Sequence, residues 1–204
     1  MKQKQLSPAG NEWRELAPRD FRGSPFDRIG KDWMLISAGN AGTDGSGDWN
    51  TMTASWGGLG VLWSINVAFM FIRPSRRTFD FANDNTIFTL SFFDESHRKA
   101  LDFIGSHSGR DCDKAATSGL NPIAFGSDIA KGRAAGAIGF QEARDIIVCR
   151  KLYTHDFDPR IFLDVPLIEK AYNGRDYHRM YIGEIITVLS RPGAPAPSTP
   201  YTAG

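Results

Sequence analysis

"DWNTMTASWGG", residues 48–58, sets two tryptophans around Asn50, Thr51, Met52, Thr53 and Ser55 and ends in a glycine pair. It is too polar for an ordinary core strand and too apolar for an ordinary loop. It alternates enough to be one arm of a hairpin. Upstream, "DWMLISAG" (32–39) reads as a strand stopped by a glycine. Between the two, "AGTDGSGD" (41–48) carries three glycines and reads as a tight turn.

Further strands follow on the C-terminal side. "VAFMFIRP" (67–74) is a buried strand ended by Pro74, and "TIFTLSFF" (86–93) is another. "FQEARDIIVCRKLYT" (140–154) holds Ile146, Val148, Leu152 and Thr154 in period two, which predicts a long strand. "MYIGEIITVLS" (180–190) is the last. Two helices interrupt them. "TFDFANDN" (78–85) opens on a Thr able to cap it. "DESHRKALDFIG" (94–105) starts at an Asp cap, places Ala100, Leu101 and Ile104 on one face and stops at Gly105. About six strands with short helices predict a mainly β domain, a closed or split barrel. That domain is expected over residues 29–190. Residues 1–28, polar with scattered Pro and Gly, read as an extended arm. Residues 191–204, "RPGAPAPSTPYTAG", read as a flexible tail.

The 204 residues suit one large domain, and 41% hydrophobic with 23% charged residues is close to a globular average. A net charge of +1 gives no long-range field for nucleic acid or an anionic membrane. The longest uninterrupted apolar run, 67–72, is one strand long, so no membrane span is expected. The N-terminus lacks the apolar stretch of a secretory signal. Cys112 and Cys149 make no disulfide framework, and the default is a reduced cytoplasmic protein. Fourteen Phe and five Trp exceed what strands alone require, and some are free to line a pocket for a flat ligand.

Three stretches carry candidate chemistry. "FIRPSRRTFDFAND" (71–84) sets Arg73, Arg76 and Arg77 beside the start of a helix, where guanidinium groups and free N–H groups clasp a phosphate. A solvated basic turn at a strand end is the plainer reading. "SHSGRDCDK" (106–114) suits a phosphate or a polyol, and equally a loop that caps a helix from Asp111 or Asp113. "YHRMYIGEI" (177–185) holds His178 just before the last strand, as a structural or an active-site residue. No metal-ligand spacing joins the cysteines to the four histidines. The sequence has no GxSxG, no Walker sequence and no strand–GxGxxG–helix unit, which excludes the commonest hydrolase, P-loop and Rossmann readings.

Taken in series, "NTMTASWGG", "RPSRRTFDF", "FTLSFFDESHRKALDFIGSHSGRDCDK" and "YHRMYIGEI" resemble the flavin reductase-like, FMN-binding split-barrel family, especially its flavoredoxin-like branch. The resemblance covers roughly residues 30–190. It implies a split β-barrel, a homodimer and FMN bound non-covalently near the dimer interface. Carried over, Asn50, Thr51, Met52, Thr53, Ala54 and Ser55 flank the isoalloxazine and its side chain, and Trp56 packs beside the ring or supports the strand from behind. A ring with an apolar face and a polar edge needs N–H groups, hydroxyls and a soft apolar surface together. Arg73, Arg76 or Arg77, with Thr78, are implied to hold the FMN phosphate. The common family form has an aromatic before that Thr, and Arg77 stands there instead, which leaves open which arginine points inward. Ser108, Gly109 and Lys114 are implied to complete the phosphate and ribityl site, and Ser91 and Phe92 to lie near the ring. His178 matches a position on the active-site side in some members. The resemblance implies an oxidoreductase passing electrons from NADH or NADPH through FMN to a small-molecule or protein acceptor (a second flavin, ferric iron or a protein). The alternatives are a flavoredoxin-type electron-transfer protein without efficient NAD(P)H use and a non-catalytic flavin-binding module.

Overall fold

The computed structural model describes residues 5–6, 13–42 and 46–192. The tail expected over 191–204 lies outside the described residues from 193 onward, as do most of the arm before residue 13 and positions 43–45 of the glycine turn.

Among the described residues, eleven strands and four α-helices follow in order. The strands are β1 (Gln5–Leu6), β2 (Trp13–Leu16), β3 (Met34–Ala41), β4 (Gly47–Ala54), β5 (Gly57–Leu62), β6 (Ile65–Ile72), β7 (Ile87–Phe92), β8 (Pro122–Ala124), β9 (Ile138–Phe140), β10 (Asp145–Asp156) and β11 (Arg179–Ser190). The helices are α1 (Thr78–Asp84), α2 (Arg98–Ser106), α3 (Lys114–Ser118) and α4 (Val165–Tyr172). All strand pairs are antiparallel.

The predicted hairpin over residues 32–56 is present: β3 and β4 pair from Met34 opposite Ala54 to Ala41 opposite Gly47. Gly39 is required within it. Its φ is +120°, and a Cβ there would stand 2.5 Å from the Cα of Trp49. The four other long strands expected from the sequence are also found. Strands run in the order β4–β3–β7–β10–β11. β11 then divides its partners. Arg179–Glu184 pairs with β6, which pairs with β5, while Val188–Ser190 pairs with β2. The two outer strands of this curl, β4 and β5, are joined by Ser55 and Trp56 alone and do not pair with each other. The barrel is split at that corner.

The expectation of about six strands is corrected upward. β5 is hidden by three glycines in six residues, a composition that ordinarily weakens a strand. β8 and β9 are three residues each. β2 falls in the stretch read as an arm; it pairs with β11, and its Trp13 is 1% exposed. α1 and α2 form where the apolar spacing places them, but their starts differ from the expected caps. Arg77 occupies the cap position of α1 and Thr78 is its first helical residue. A 3₁₀ turn, Glu95–His97, precedes α2, and the Asp94 carboxylate accepts from Arg144 rather than from backbone.

Alternate residues along the central strands feed two apolar clusters. Met34, Ile36, Leu90, Ile147 and Val188 fill the barrel. Leu35, Ile146, Val148 and Leu189 face outward beneath a layer built from α2, α3, β8 and β9. The polar exception is a buried ionic cluster. Arg28 reaches Asp145 at 2.6 Å, Arg144 lies between Asp32, Asp94 and Asp145, and the Ser190 hydroxyl donates to Asp145 at 2.5 Å. It ties the segment before β3 to the ends of β10 and β11. No helix among the described residues is long and apolar enough to cross a membrane, and none of the described His, Cys, Asp or Glu residues group into a metal site.

Candidate functional site

β4 is an edge strand: it pairs with β3 and with no other strand among the described residues. One side of its backbone therefore offers alternating N–H and C=O groups to whatever lies beside it. Two clefts open along that edge. The first is lined by Met52, Thr53, Ala54, Ser55, Trp56, Phe71, Arg73, Arg76 and His178 and encloses about 160 Å³. The second, of about 480 Å³, is lined by residues 46–51 of the strand and its approach, by Arg77, and by the loop and helix from Gly109 to Pro122. Thirteen of the sequence-derived site residues thus line the two clefts, and Arg76 and Arg77, adjacent in sequence, fall one in each.

The hydroxyls of the opening stretch are already committed. Thr51 donates to the Ile36 carbonyl at 3.1 Å and accepts from Ser37 at 2.9 Å. Thr53 donates to the Leu101 carbonyl at 2.5 Å, fastening β4 to α2. The Asn50 amide donates to the buried Thr78 hydroxyl at 2.7 Å, so Thr78 positions Asn50 and does not cap its own helix. Gly109 lies so close over Asn50 that a Cβ there would meet the Asn50 Oδ1 at 2.1 Å. What this strand leaves for a ligand is backbone edge, the Met52 thioether and the corner Ala54–Ser55–Trp56.

The three arginines have separate employments. Arg73 donates to the Ala171 carbonyl at 2.8 Å and the Asp176 carbonyl at 3.3 Å, and its guanidinium lies 5.1 Å from the Tyr172 ring centre. Beside it, Ser75 donates through its N–H and its hydroxyl to the Asp176 carboxylate at 3.0 and 2.6 Å. Arg73 thereby clasps the segment between β10 and β11, although one face of it still lines the first cleft. Arg76 donates to the Gly105 carbonyl at 3.0 Å. The Arg77 guanidinium makes no hydrogen bond among the described residues and lies over Phe81 at 5.5 Å. Lys114 is 6% exposed and its Nζ meets one carbonyl, Ile104, at 3.3 Å. Burial, with the nearby Arg76 charge, pulls its pKa down to about 8. Cys112, also at this cleft, donates weakly to the Ser108 carbonyl.

His178 stands at the first cleft, buried, with Nδ1 3.0 Å from the Tyr172 hydroxyl and its ring 5.1 Å from Trp56. Burial and the Arg73 charge depress its pKa to about 4, so it is neutral at physiological pH. The first cleft is a half-walled aromatic corner; the second is a larger, cation-bearing slot. Both arrangements fit parts of a flavin nucleotide: a ring against strand edge and aromatics, a phosphate against Arg77 and Lys114.

Four sequence-derived residues line neither cleft: Thr78, already placed beneath Asn50, and Ser91, Phe92 and Ser108. Ser91 and Phe92 sit on β7, a central strand covered on both faces, and both are fully buried. Phe92 packs against Phe21 with ring centres 5.5 Å apart. Ser108 caps the loop by accepting from the Arg110 N–H at 3.1 Å. Asp113 accepts from Ala116 and starts α3, as the plainer reading of that loop has it. Phe71, Tyr172 and Asp176 were not singled out by sequence. Only the 22-residue gap between β10 and β11 hinted that a segment folds back over the site.

Over residues 26–201 the chain matches the family described as flavin reductase like domain. No curated protein matches it. Among solved structures it is similar to an FMN-binding domain of a flavin reductases-like enzyme from Shewanella baltica OS155, with 13% identity, a TM-score of 0.60, and 90% of this chain and 80% of that one covered. It is similar to a flavoredoxin from Methanosarcina acetivorans, with 20% identity, a TM-score of 0.58 and coverage of 78% and 68%. It is also similar to an NADH:FAD oxidoreductase from Streptomyces globisporus, with 16% identity, a TM-score of 0.53 and coverage of 78% and 75%. At these identities the likeness is one of fold, the FMN-binding split barrel.

Proposed function

Because the chain belongs to the flavin reductase-like domain family, we propose that it is an FMN-binding oxidoreductase that takes electrons from NADH or NADPH and passes them to a flavin, ferric or protein acceptor. The observation that carries the reading is the free edge of β4 running between an aromatic corner and a slot with two under-used cations. FMN, when bound, supplies the hydride-accepting chemistry. The chain's residues supply the rest. Arg77 and Lys114 neutralise the phosphate, each charge-assisted contact contributing about 1.5–3 kcal/mol. The β4 edge offers N–H donors to the ring's polar rim, and Met52 and Trp56 give it an apolar surface. His178, neutral and oriented by Tyr172, places no added positive charge beside the ring.

A homodimer in the cytoplasm belongs to the same reading. The hairpin of β5 and β6 exposes Val61 (72%) and Trp63 (58%) in one apolar tip, a surface that a second copy would cover. A second reading, an electron-transfer flavoprotein without efficient NAD(P)H use, is supported by the likeness of fold to a flavoredoxin. Reconstitution with FMN followed by anaerobic mixing with NADH or NADPH separates the two. Rapid bleaching of the flavin's visible band supports the oxidoreductase. Bleaching only by a reduced partner protein supports electron transfer, and failure to take up FMN overturns both.

A further inference from the structure

Four rings form a ladder that leads away from the first cleft. The Trp56 and His178 ring centres are 5.1 Å apart, those of His178 and Tyr172 5.5 Å, and those of Tyr172 and Tyr177 4.7 Å. Trp56 is 49% exposed at the cleft, His178 and Tyr172 are buried, and Tyr177 is half-buried at the far end. In the function proposed above Tyr172 only orients His178, and Tyr177 has no part. The Tyr172 hydroxyl has one hydrogen-bond partner among the described residues, His178 Nδ1 at 3.0 Å. A buried phenol hydroxyl places its proton on an acceptor. That proton therefore points at Nδ1, and the imidazole's own proton is on Nε2. The contrast with other tyrosines is sharp. Tyr181 donates to the Asn83 side-chain oxygen at 2.8 Å, and Tyr153 stacks flat on His155 with 6.3 Å between ring centres. Among the described residues, Tyr172 alone sets its hydroxyl against a base.

We propose that Tyr172 is a redox-active tyrosine, with His178 as its proton acceptor, that drains an oxidising equivalent from Trp56 at the first cleft toward the surface at Tyr177. Loss of one electron turns a phenol into a very strong acid. A buried tyrosine therefore yields an electron readily only where a base takes its proton at the same moment, and Nδ1 is in place to do so. An oxygen-centred radical anion, such as the carbonate radical, takes one electron from the Trp56 indole and leaves as carbonate. Arg73 and Arg76 line the cleft with no carboxylate among its walls, which suits an anionic oxidant. Tyr172 then returns one electron to Trp56 while its hydroxyl proton moves to Nδ1. The products are an intact indole, a neutral phenoxyl radical and an imidazolium. Burial and the Arg73 and Arg76 charges oppose that imidazolium, and Asp176 favours it. A thiolate in solution gives one electron back through Tyr177 and leaves as a thiyl radical, and the proton returns from Nδ1 to the Tyr172 oxygen. None of these steps passes through a flavin, so the inference stands apart from the flavin reading.

The test is laser flash oxidation of the flavin-free, full-length chain by ruthenium(III) tris-bipyridine. Tyr153→Phe and Tyr201→Phe form the background, so that Tyr172, Tyr177 and Tyr181 are the tyrosines left. The expected result is an indole radical that decays as a phenoxyl band rises, more slowly in heavy water than in light. Tyr172→Phe in that background should abolish the phenoxyl band and lengthen the life of the indole radical. His178→Gln keeps a hydrogen-bond acceptor without a base, and most of the phenoxyl yield should be lost. A phenoxyl band that survives Tyr172→Phe overturns the proposal. So does a rise in the background protein that is equally fast in both waters, a result that needs no variant of the pair to fold. A second readout is peptide mapping after exposure of the full chain to carbonate radicals. Oxidation of Trp56 should rise several-fold in Tyr172→Phe, while that of Trp63, exposed on the β5–β6 turn, should not change. Equal oxidation of Trp56 with and without Tyr172 would show that the ladder drains nothing.

Discussion

Arg73, Arg76 and Arg77 lie within five residues of one another, yet the structure gives them different work, and mutation should separate it. Arg77 carries the uncommitted charge at the larger cleft. Arg77→Ala is expected to weaken FMN binding roughly ten- to a hundred-fold, the equivalent of one lost charge-assisted contact, with little change in the urea midpoint. Arg73 is spent on Ala171, Asp176 and Tyr172. Arg73→Ala should therefore lower stability, and its effect on FMN affinity should be the smaller one. A larger loss of affinity in Arg73→Ala than in Arg77→Ala would mean that the phosphate sits in the first cleft. Lys114 adds a pH dependence whose sign is fixed. Its pKa falls from 10.5 to about 8 on folding, so between those values the unfolded chain holds the extra proton and stability rises with pH. Phosphate binding needs the charged amine, so FMN affinity should fall as pH rises through about 8. Opposite slopes of stability and affinity in that window check the assignment, and the affinity slope should vanish in Lys114→Met. The cysteines divide just as sharply. Cys149 is fully buried, and burial pushes its thiol pKa up, with Glu184 adding to the rise. Cys112 is half-exposed at the slot. Alkylation mapped by mass spectrometry should label Cys112 first, and FMN should slow it.

Among the elements, the β5–β6 hairpin shows why part of the fold was legible in the sequence and part was not. The strands that were readable, β3, β4, β6, β7, β10 and β11, carry β-branched and aromatic residues in runs or alternation, because they line two apolar clusters. β5 carries no such signal, since Gly57 lies against the backbone of Phe69, where a Cβ would stand 2.9 Å from its carbonyl oxygen. The site was legible to the same degree. Motifs named a strand and loops that line the two clefts, but hydroxyls look alike in sequence whether they face a cleft or, as with Thr51 and Thr53, a backbone carbonyl. Ser91 and Phe92 were placed by resemblance, and the two covered faces of β7 keep them from the clefts. The hairpin's turn is Trp63–Ser64, both at positive φ (52° and 60°), a geometry that favours Asn-Gly. Holding non-glycine residues there costs about 1–2 kcal/mol each, and the exposed Trp63 is what that strain presents. Replacing Trp63→Asn together with Ser64→Gly should relieve it. The expected outcome is a more heat-stable chain whose sedimentation shifts toward monomer. A dimer of unchanged strength would remove this tip from the interface.

For the whole molecule the decisive question is where the folding unit begins. Composition placed an arm over residues 1–28, and the family match begins at residue 26; both boundaries leave out β2. Yet β2 is bound on three counts. Its backbone pairs with Val188–Ser190 of β11, its Glu15 accepts from Thr187 at 2.9 Å, and Trp13 lies in the outer cluster with the Arg191 guanidinium 5.1 Å from its ring. β11 is the strand that both barrel and sheet share, pairing with β6 at one end and β2 at the other. Loss of β2 would expose the Leu189 side of that strand. A buried aromatic of this size removed to Ala costs about 3–5 kcal/mol, a large share of the roughly 5–15 kcal/mol by which a domain is stable. Trp13→Ala is therefore expected to lower the urea midpoint steeply, and a chain begun at residue 18 to lower it as far or further. FMN affinity of the fraction still folded should stay near wild type, because β2 and both clefts lie on different strands. A truncated chain as stable as the full one would mean that the domain starts after β2, and that the pairing of β2 with β11 contributes nothing to it.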